Sequence, residues 1–136
     1  MALLRAREVL MERFRPMLHA HDVTEQQWRV LRVLDEAEAM DASELAKGAS
    51  ILAPSLSRIL KALEARGLIA VRRDPNDGRR TLINLTRDGQ AFIRKIAPES
   101  AAIYAEIEAS VGRDRIERLL DETDALIVML AAREQD

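Results

Sequence analysis

Apolar positions repeat along most of this chain at helical spacing, and in only one place does the pattern change to that of strands. Residues 2 to about 20 read as an amphipathic helix, with Leu3, Leu10, Phe14, Met17 and Leu18 on its apolar side. Pro16 lies inside it, so a kink or loosened turn is expected near Arg15. Thr24 and Gln27 form a capping-box pair that starts a second helix, with Trp28, Leu31 and Leu34 turned inward. Asp41 and Glu44 repeat the signature for a short third helix, Ala42 to Lys47, and a loop from Gly48 to Leu52 follows. Pro54 suits the first turn of a fourth helix, Leu56, Ile59, Leu60 and Leu63 line one face of it, and Gly67 closes it. Two β-prone runs come next, Leu68 to Arg72 and Thr81 to Leu85, joined by a polar turn from Asp74 to Gly78. Thr86 then caps a long fifth helix, which Pro98 should bend near Arg94, and Gly112 separates it from a last helix carrying Ile116, Leu119, Leu120, Ile127 and Leu130. The expected fold is mainly α with a small β-hairpin.

Charge sharpens this picture. The 136 residues sum to −2, yet the stretch from Lys47 to Arg87 holds nine Lys/Arg against three Asp/Glu, a net of +6. The flanks are acidic on both sides. A local positive patch in an acidic chain is an electrostatic footprint for phosphates. It coincides with the fourth helix, whose exposed side carries Ser55, Ser57, Arg58 and Lys61, and with a hairpin edged by Arg72, Arg73, Arg79 and Arg80. A helix-turn-helix with an arginine-edged hairpin is the pattern of a winged module that grips duplex DNA.

Other chemistries find little support. The chain has no cysteine, which removes disulfides, thiolate metal sites and thiol redox sensing. His19 and His21 are too close in sequence for a one-face helical metal pair, so no metal or cofactor is expected. Nothing resembles a catalytic triad, a phosphate loop or a paired-carboxylate site, and the chain does not read as an enzyme. No apolar run approaches membrane-spanning length and no signal peptide opens the chain, so a soluble cytoplasmic protein is expected. A winged helix used only for protein contacts stays open, but it leaves the +6 patch unexplained.

The helix order and the run Asp77-Gly78-Arg79-Arg80-Thr81-Leu82-Ile83 resemble the MarR family of winged helix-turn-helix regulators. LLRARE at Leu3 to Glu8, FRP at Phe14 to Pro16, TEQQWRVLR at Thr24 to Arg32 and ILAPSLSRIL at Ile51 to Leu60 resemble its branch that regulates homoprotocatechuate (4-hydroxyphenylacetate) degradation. The resemblance implies one MarR-type domain over 1–136. Residues 24–87 would form the DNA-binding head, and 1–20 and 88–136 the dimerisation helices. It implies a homodimer on a pseudo-palindromic operator, acting as a repressor that a phenolic or aromatic carboxylate relieves; a MarR-type regulator of an unrelated operon is the alternative.

On this basis Ala53, Pro54 and Ser55 let the fourth helix approach the major groove. Ser57, Arg58 and Lys61 face the DNA, with Arg58 able to bond a guanine edge in two places and Lys61 a phosphate. Arg72, Arg73, Arg79 and Arg80 edge the wing, Arg79 as the arginine that enters the minor groove. Asp77 is expected to hold the Arg79 guanidinium, to shape the turn with Gly78, or both. For the effector the candidates are Arg15, His19 and Trp28, although Trp28 is equally suited to the core and Arg15 to a pair with Glu8 or Glu12.

Overall fold

The computed structural model describes residues 1–134, so the last two positions of the expected C-terminal helix lie outside the described residues. The order is α1 (Ala2–Ala20), α2 (Glu25–Asp35), β1 (Met40–Asp41), α3 (Ala42–Ala49), α4 (Ala53–Ala65), β2 (Ile69–Asp74), β3 (Asp77–Leu85), α5 (Arg87–Val111) and α6 (Arg113–Arg133). The chain divides into two compact units, residues 1–99 and 100–136.

The first unit is a winged helix-turn-helix. Thr24 Oγ1 accepts from the Gln27 amide while the Gln27 side chain accepts from the Thr24 amide, so both halves of the capping box start α2. Asp41 caps α3 through the Glu44 amide at 2.8 Å. Leu68 N donates to Leu63 O and Gly67 N to Glu64 O, with Gly67 at φ 74°, which is a Schellman ending for α4. The Thr86 hydroxyl has two bonds: it donates to Gly67 O at 2.6 Å and accepts from the Gly89 amide at 3.0 Å. The same residue therefore caps α5 and ties it to the end of α4.

The core includes Leu31, Leu34, Leu63 and Ile96, which the spacing turned inward, while Trp28, also expected inward, is half-buried. Val30, Leu31, Leu34, Leu45, Leu63, Ile83 and Ile96 are almost wholly buried, each worth about 1.5–3 kcal/mol of transfer free energy. Phe14, Met17 and Leu18 bring the C-terminal half of α1 into this core, whereas Leu3, Leu4, Val9 and Leu10 on its N-terminal half are exposed.

Three features depart from the expectation. A short strand, β1, adds a third member, giving the antiparallel order β1-β3-β2 with Met40 opposite Ile83 and Asp41 opposite Leu82. The wing is longer than predicted: β2 and β3 continue to Asp74 and Asp77, leaving Pro75 and Asn76 between the strands. Polar arginines carry the strands outward, a region where hydrophobic alternation gives no signal. Helix α3 runs two residues past Lys47, to Ala49, before Ser50 takes a left-handed conformation at φ 53°. Pro16 and Pro98 lie inside α1 and α5, as expected.

The second unit holds the C-terminal part of α5 and α6, separated by Gly112 at φ 94°. No residue of α6 is buried: Leu119, Leu120, Leu126, Ile127, Val128, Met129 and Leu130 are all exposed. No helix among the described residues is long and apolar enough to cross a membrane.

Candidate nucleic-acid interface

Helix α4 starts after Leu52 with Pro54 in its first turn, where the missing N–H leaves no bond unmade. Its buried face is Leu56, Ile59 and Leu63. The opposite face exposes Ala53, Pro54, Ser57, Arg58 and Lys61, with Ser55 half-buried at the edge. This is the arrangement the spacing predicted, and it brings two small residues, a hydroxyl and two cations onto one solvent-facing surface. Arg58 and Lys61 form no ion pair among the described residues.

The wing offers a second cationic surface. Arg72, Arg73 and Arg79 are exposed on β2 and β3. The turn between the strands is shaped by two aspartates: Asp74 Oδ1 accepts from the Asn76 amide at 2.9 Å, and Asp77 Oδ1 from the Arg79 amide at 3.0 Å. Asp77 thus holds the backbone of Arg79 and not its guanidinium, which corrects the expected charge-assisted pair in favour of turn formation. An aspartate two residues before an amide reaches it more easily than it reaches round to a long side chain.

Arg80 differs from the other wing arginines. Its Nε donates to Asp41 Oδ2 at 3.0 Å, its Nη2 to Glu44 Oε1 at 2.6 Å, and its Nη1 lies 3.6 Å from Asp74 Oδ2. The carboxylates on both elements keep this guanidinium protonated more firmly than usual, Glu44 first and Asp41 next. The Glu44 amide, then Arg80, holds Asp41 below the ordinary aspartate range. Arg80 was expected beside Arg79 as a DNA contact; in the structure its guanidinium is engaged by carboxylates of the head and wing. Between the wing and the start of α3 is a cleft of about 310 Å³ lined by Asp41, Ala42, Ser43, Asp77, Arg79, Arg80 and Thr81.

The three effector candidates each have their own surroundings. Arg15 donates to Glu8 at 2.8 Å, and the pair depresses the Glu8 carboxyl. His19 lines a cleft of about 290 Å³ with Asp22, Val23, Thr24, Gln27 and Arg66. Trp28 is half-buried, and the cation over its ring is Arg32, at 5.9 Å. Two locks join the end of α1 to later elements. Arg66 donates to the Asp22 carbonyl at 2.6 Å and lies over Phe92, while His21 Nε2 sits 2.8 Å from Glu99 Oε2. Among the described residues no group of three or more His, Asp or Glu is placed to hold a metal ion.

Comparison with known proteins agrees with this geometry. The MarR family profile matches residues 23–81. Over 135 residues, 99% of this chain and 91% of the relative, the sequence is 38% identical to the homoprotocatechuate degradative operon repressor of Escherichia coli. The chain belongs to the MarR family. A solved structure of NadR in complex with 4-hydroxyphenylacetate is 40% identical, with a TM-score of 0.82 over 92% of this chain and 89% of that one. The transcriptional repressor CouR bound to a 23-mer DNA duplex is 32% identical, with a TM-score of 0.76 over 96% and 88% of the two chains. As a MarR-family transcriptional regulator, this protein has its winged fold where the sequence pattern placed it.

Sequence reasoning missed two kinds of residue in this MarR-family protein. Arg32 was legible: it stands four positions after Trp28 on one helix, the spacing at which side chains meet. Asp41 and Glu44 were read only as caps, because their link to Arg80 spans some forty positions and no local pattern marks it.

Proposed function

We propose that this protein is a dimeric repressor of an aromatic-acid catabolic operon, which binds operator DNA through α4 and the wing and releases it when a phenolic carboxylate binds. The observation that carries this reading is the near-full-length likeness to a homoprotocatechuate operon repressor; the solved NadR complex adds the ligand class. The CouR complex supports DNA as the partner. It acts where the DNA is, in the cytoplasm, and by binding rather than by catalysis.

The α4 surface enters the major groove, where Ala53 and Pro54 permit close approach. Ser55 and Ser57 donate to phosphates, Arg58 reads a base edge and Lys61 neutralises a phosphate. Arg79 enters the adjacent minor groove, and Arg72 and Arg73 flank it on phosphates. The exposed apolar stripes of α1 and α6 are contact surfaces for a second copy, since stripes of this length are not left in water by a stable monomer. Two heads then read the two halves of a pseudo-palindromic site.

For the effector, Arg32 suits the carboxylate better than Arg15. Arg15 is neutralised by Glu8, whereas no carboxylate pairs with Arg32 among the described residues, and its guanidinium lies beside an aromatic wall, Trp28. The test is calorimetry with 4-hydroxyphenylacetate on the parent and on Arg32→Ala, Arg15→Ala and His19→Ala. Losing a charge-assisted bond costs about 1.5–3 kcal/mol, so Arg32→Ala should weaken binding by roughly 10- to 150-fold. Binding by the parent should also release DNA, because a ligand shifts an equilibrium only by its preference for one state. Failure of the parent to bind either 4-hydroxyphenylacetate or homoprotocatechuate would overturn the aromatic-acid assignment.

A further inference from the structure

We infer that Arg80, with Asp41 and Glu44, is a positioning device that fixes the wing against the helix-turn-helix, and that it touches no phosphate. The inference rests on the DNA-binding function proposed above. The wing is a two-stranded ribbon, and such a ribbon is a weak structure by itself in water. Its base is held by β1, which pairs with β3 only at Met40–Ile83 and Asp41–Leu82. From Thr81 outward, β3 has only β2 beside it, and the Arg73/Asp74 step of β2 carries a register irregularity. A ribbon held only at its base swings about it. Arg80 is the second residue beyond that base, and its fork reaches back to two carboxylates of the α3 cap and first turn at 3.0 and 2.6 Å. Its third nitrogen lies 3.6 Å from Asp74, across the hairpin. One guanidinium therefore ties both wing strands to the start of α3.

The consequence concerns register. Arg79 is the immediate neighbour of Arg80, and Asp77 fixes its backbone. The distance between the minor-groove arginine and the reading face of α4 is then set by the tie and not by a free hinge. The arrangement also explains why two carboxylates stand beside a phosphate-binding surface. Asp41 and Glu44 would repel phosphate if they had no other work. Their work is to hold Arg80, which offsets one of their charges; the four groups together still carry −2, with one cation engaged by three anions. A guanidinium in that setting has little to offer a phosphate.

The two roles for Arg80 predict opposite signs. A cation that contacts phosphate releases counterions, so its removal lowers the steepness of the salt dependence by about one unit. Removing Glu44, an anion near the DNA, should then tighten binding. A positioning residue leaves the salt slope unchanged, and loss of Glu44 weakens binding as loss of Arg80 does. Lysine separates them further: it keeps the charge for a phosphate but lacks the fork that bonds Asp41 and Glu44 at once.

The experiment uses the full chain and a duplex that the parent selects from a random-sequence pool. Affinity is measured at several salt concentrations for Arg80→Ala, Arg80→Lys, Glu44→Gln and the Arg80→Ala/Glu44→Gln pair, with Arg79→Ala for comparison. We expect Arg80→Ala, Arg80→Lys and Glu44→Gln each to lose several-fold in affinity with the slope of the parent, and the pair to lose no more than Arg80→Ala alone. Arg79→Ala should lose affinity and slope together. A shallower slope in Arg80→Ala, parental affinity in Arg80→Lys, or tighter binding by Glu44→Gln would each overturn the inference while leaving DNA binding intact. A parent that selects no duplex would instead overturn the function on which the inference rests, and the inference with it.

Discussion

Gly89 is the position at which a single methyl group should do most damage. It is buried in the first turn of α5, and a Cβ built there would lie 2.0 Å from the Leu68 carbonyl oxygen and 3.2 Å from a methyl of Leu85. Real Cβ contacts do not fall below 3.0 Å, so α5 must retreat from the start of β2 by about 1 Å. The obstacle is backbone, which cannot swing aside as a side chain does. Overpacking of this kind costs about 1–3 kcal/mol. The retreat also stretches the Thr86 cap, a 3.0 Å bond to Gly89 itself, worth about 1 kcal/mol. Alanine returns at most about 1 kcal/mol through its helix propensity. The net is a loss of about 1–3 kcal/mol for Gly89→Ala, or a fall in Tm of roughly 3–15 °C for a chain of this size. Gly78→Ala is the control, because nothing lies within 4 Å of its Cβ direction and its backbone is not left-handed. Thermal unfolding followed by circular dichroism, at one protein concentration, decides it. A Gly89→Ala protein that melts within 2 °C of the parent would show that the close approach of α5 and β2 is not tight.

The other expectations concern the interface. Arg58→Ala should relax base discrimination by roughly 1–3 kcal/mol at one position of each half-site, read by competition among duplex variants; unchanged discrimination would remove its base-reading role. Truncation after Gly112 removes the exposed apolar stripe of α6 and should leave a monomer by light scattering, with the loss of tight binding that needs two half-sites. Asp41 has a depressed pKa in the folded state, so the stability it contributes is complete above the unfolded carboxylate value of about 3.9 and is lost as pH falls through the still lower folded value. The chemical shift of the Arg80 Nε–H should therefore stay constant through pH 5–7 and move towards that of a free arginine only in stronger acid; a move between pH 6 and 7 would contradict the tie.

The sequence was most informative where physics acts locally. Thr24 with Gln27, Asp41 with Glu44, and Gly67 are read from a few neighbouring residues, and the structure has each where local rules put it. The α4 surface follows from helical spacing alone. The wing was harder. Its outer strands are arginine-rich and exposed on both faces, so no alternation marks their length, and β1 is two residues long. Contacts between distant positions were out of reach. Nothing near Arg80 distinguishes it from Arg79, yet one is tied to the head and the other is free of ion pairs among the described residues. The apolar side of α1 was seen as one stripe, and only the fold shows it divided between a buried half at Phe14, Met17 and Leu18 and an exposed half at Leu3, Leu4, Val9 and Leu10.

The central claim is that this surface holds duplex DNA through phosphates, and the salt dependence of binding tests it most directly. Arg58, Lys61, Arg72, Arg73 and Arg79 are exposed on each head. If about three of these five on each of two heads neutralise phosphates, binding should fall with a log–log slope of about −5, and steeper with more contacts. A slope of about −5 or steeper on a selected duplex is the result predicted, and a slope near zero would contradict the claim.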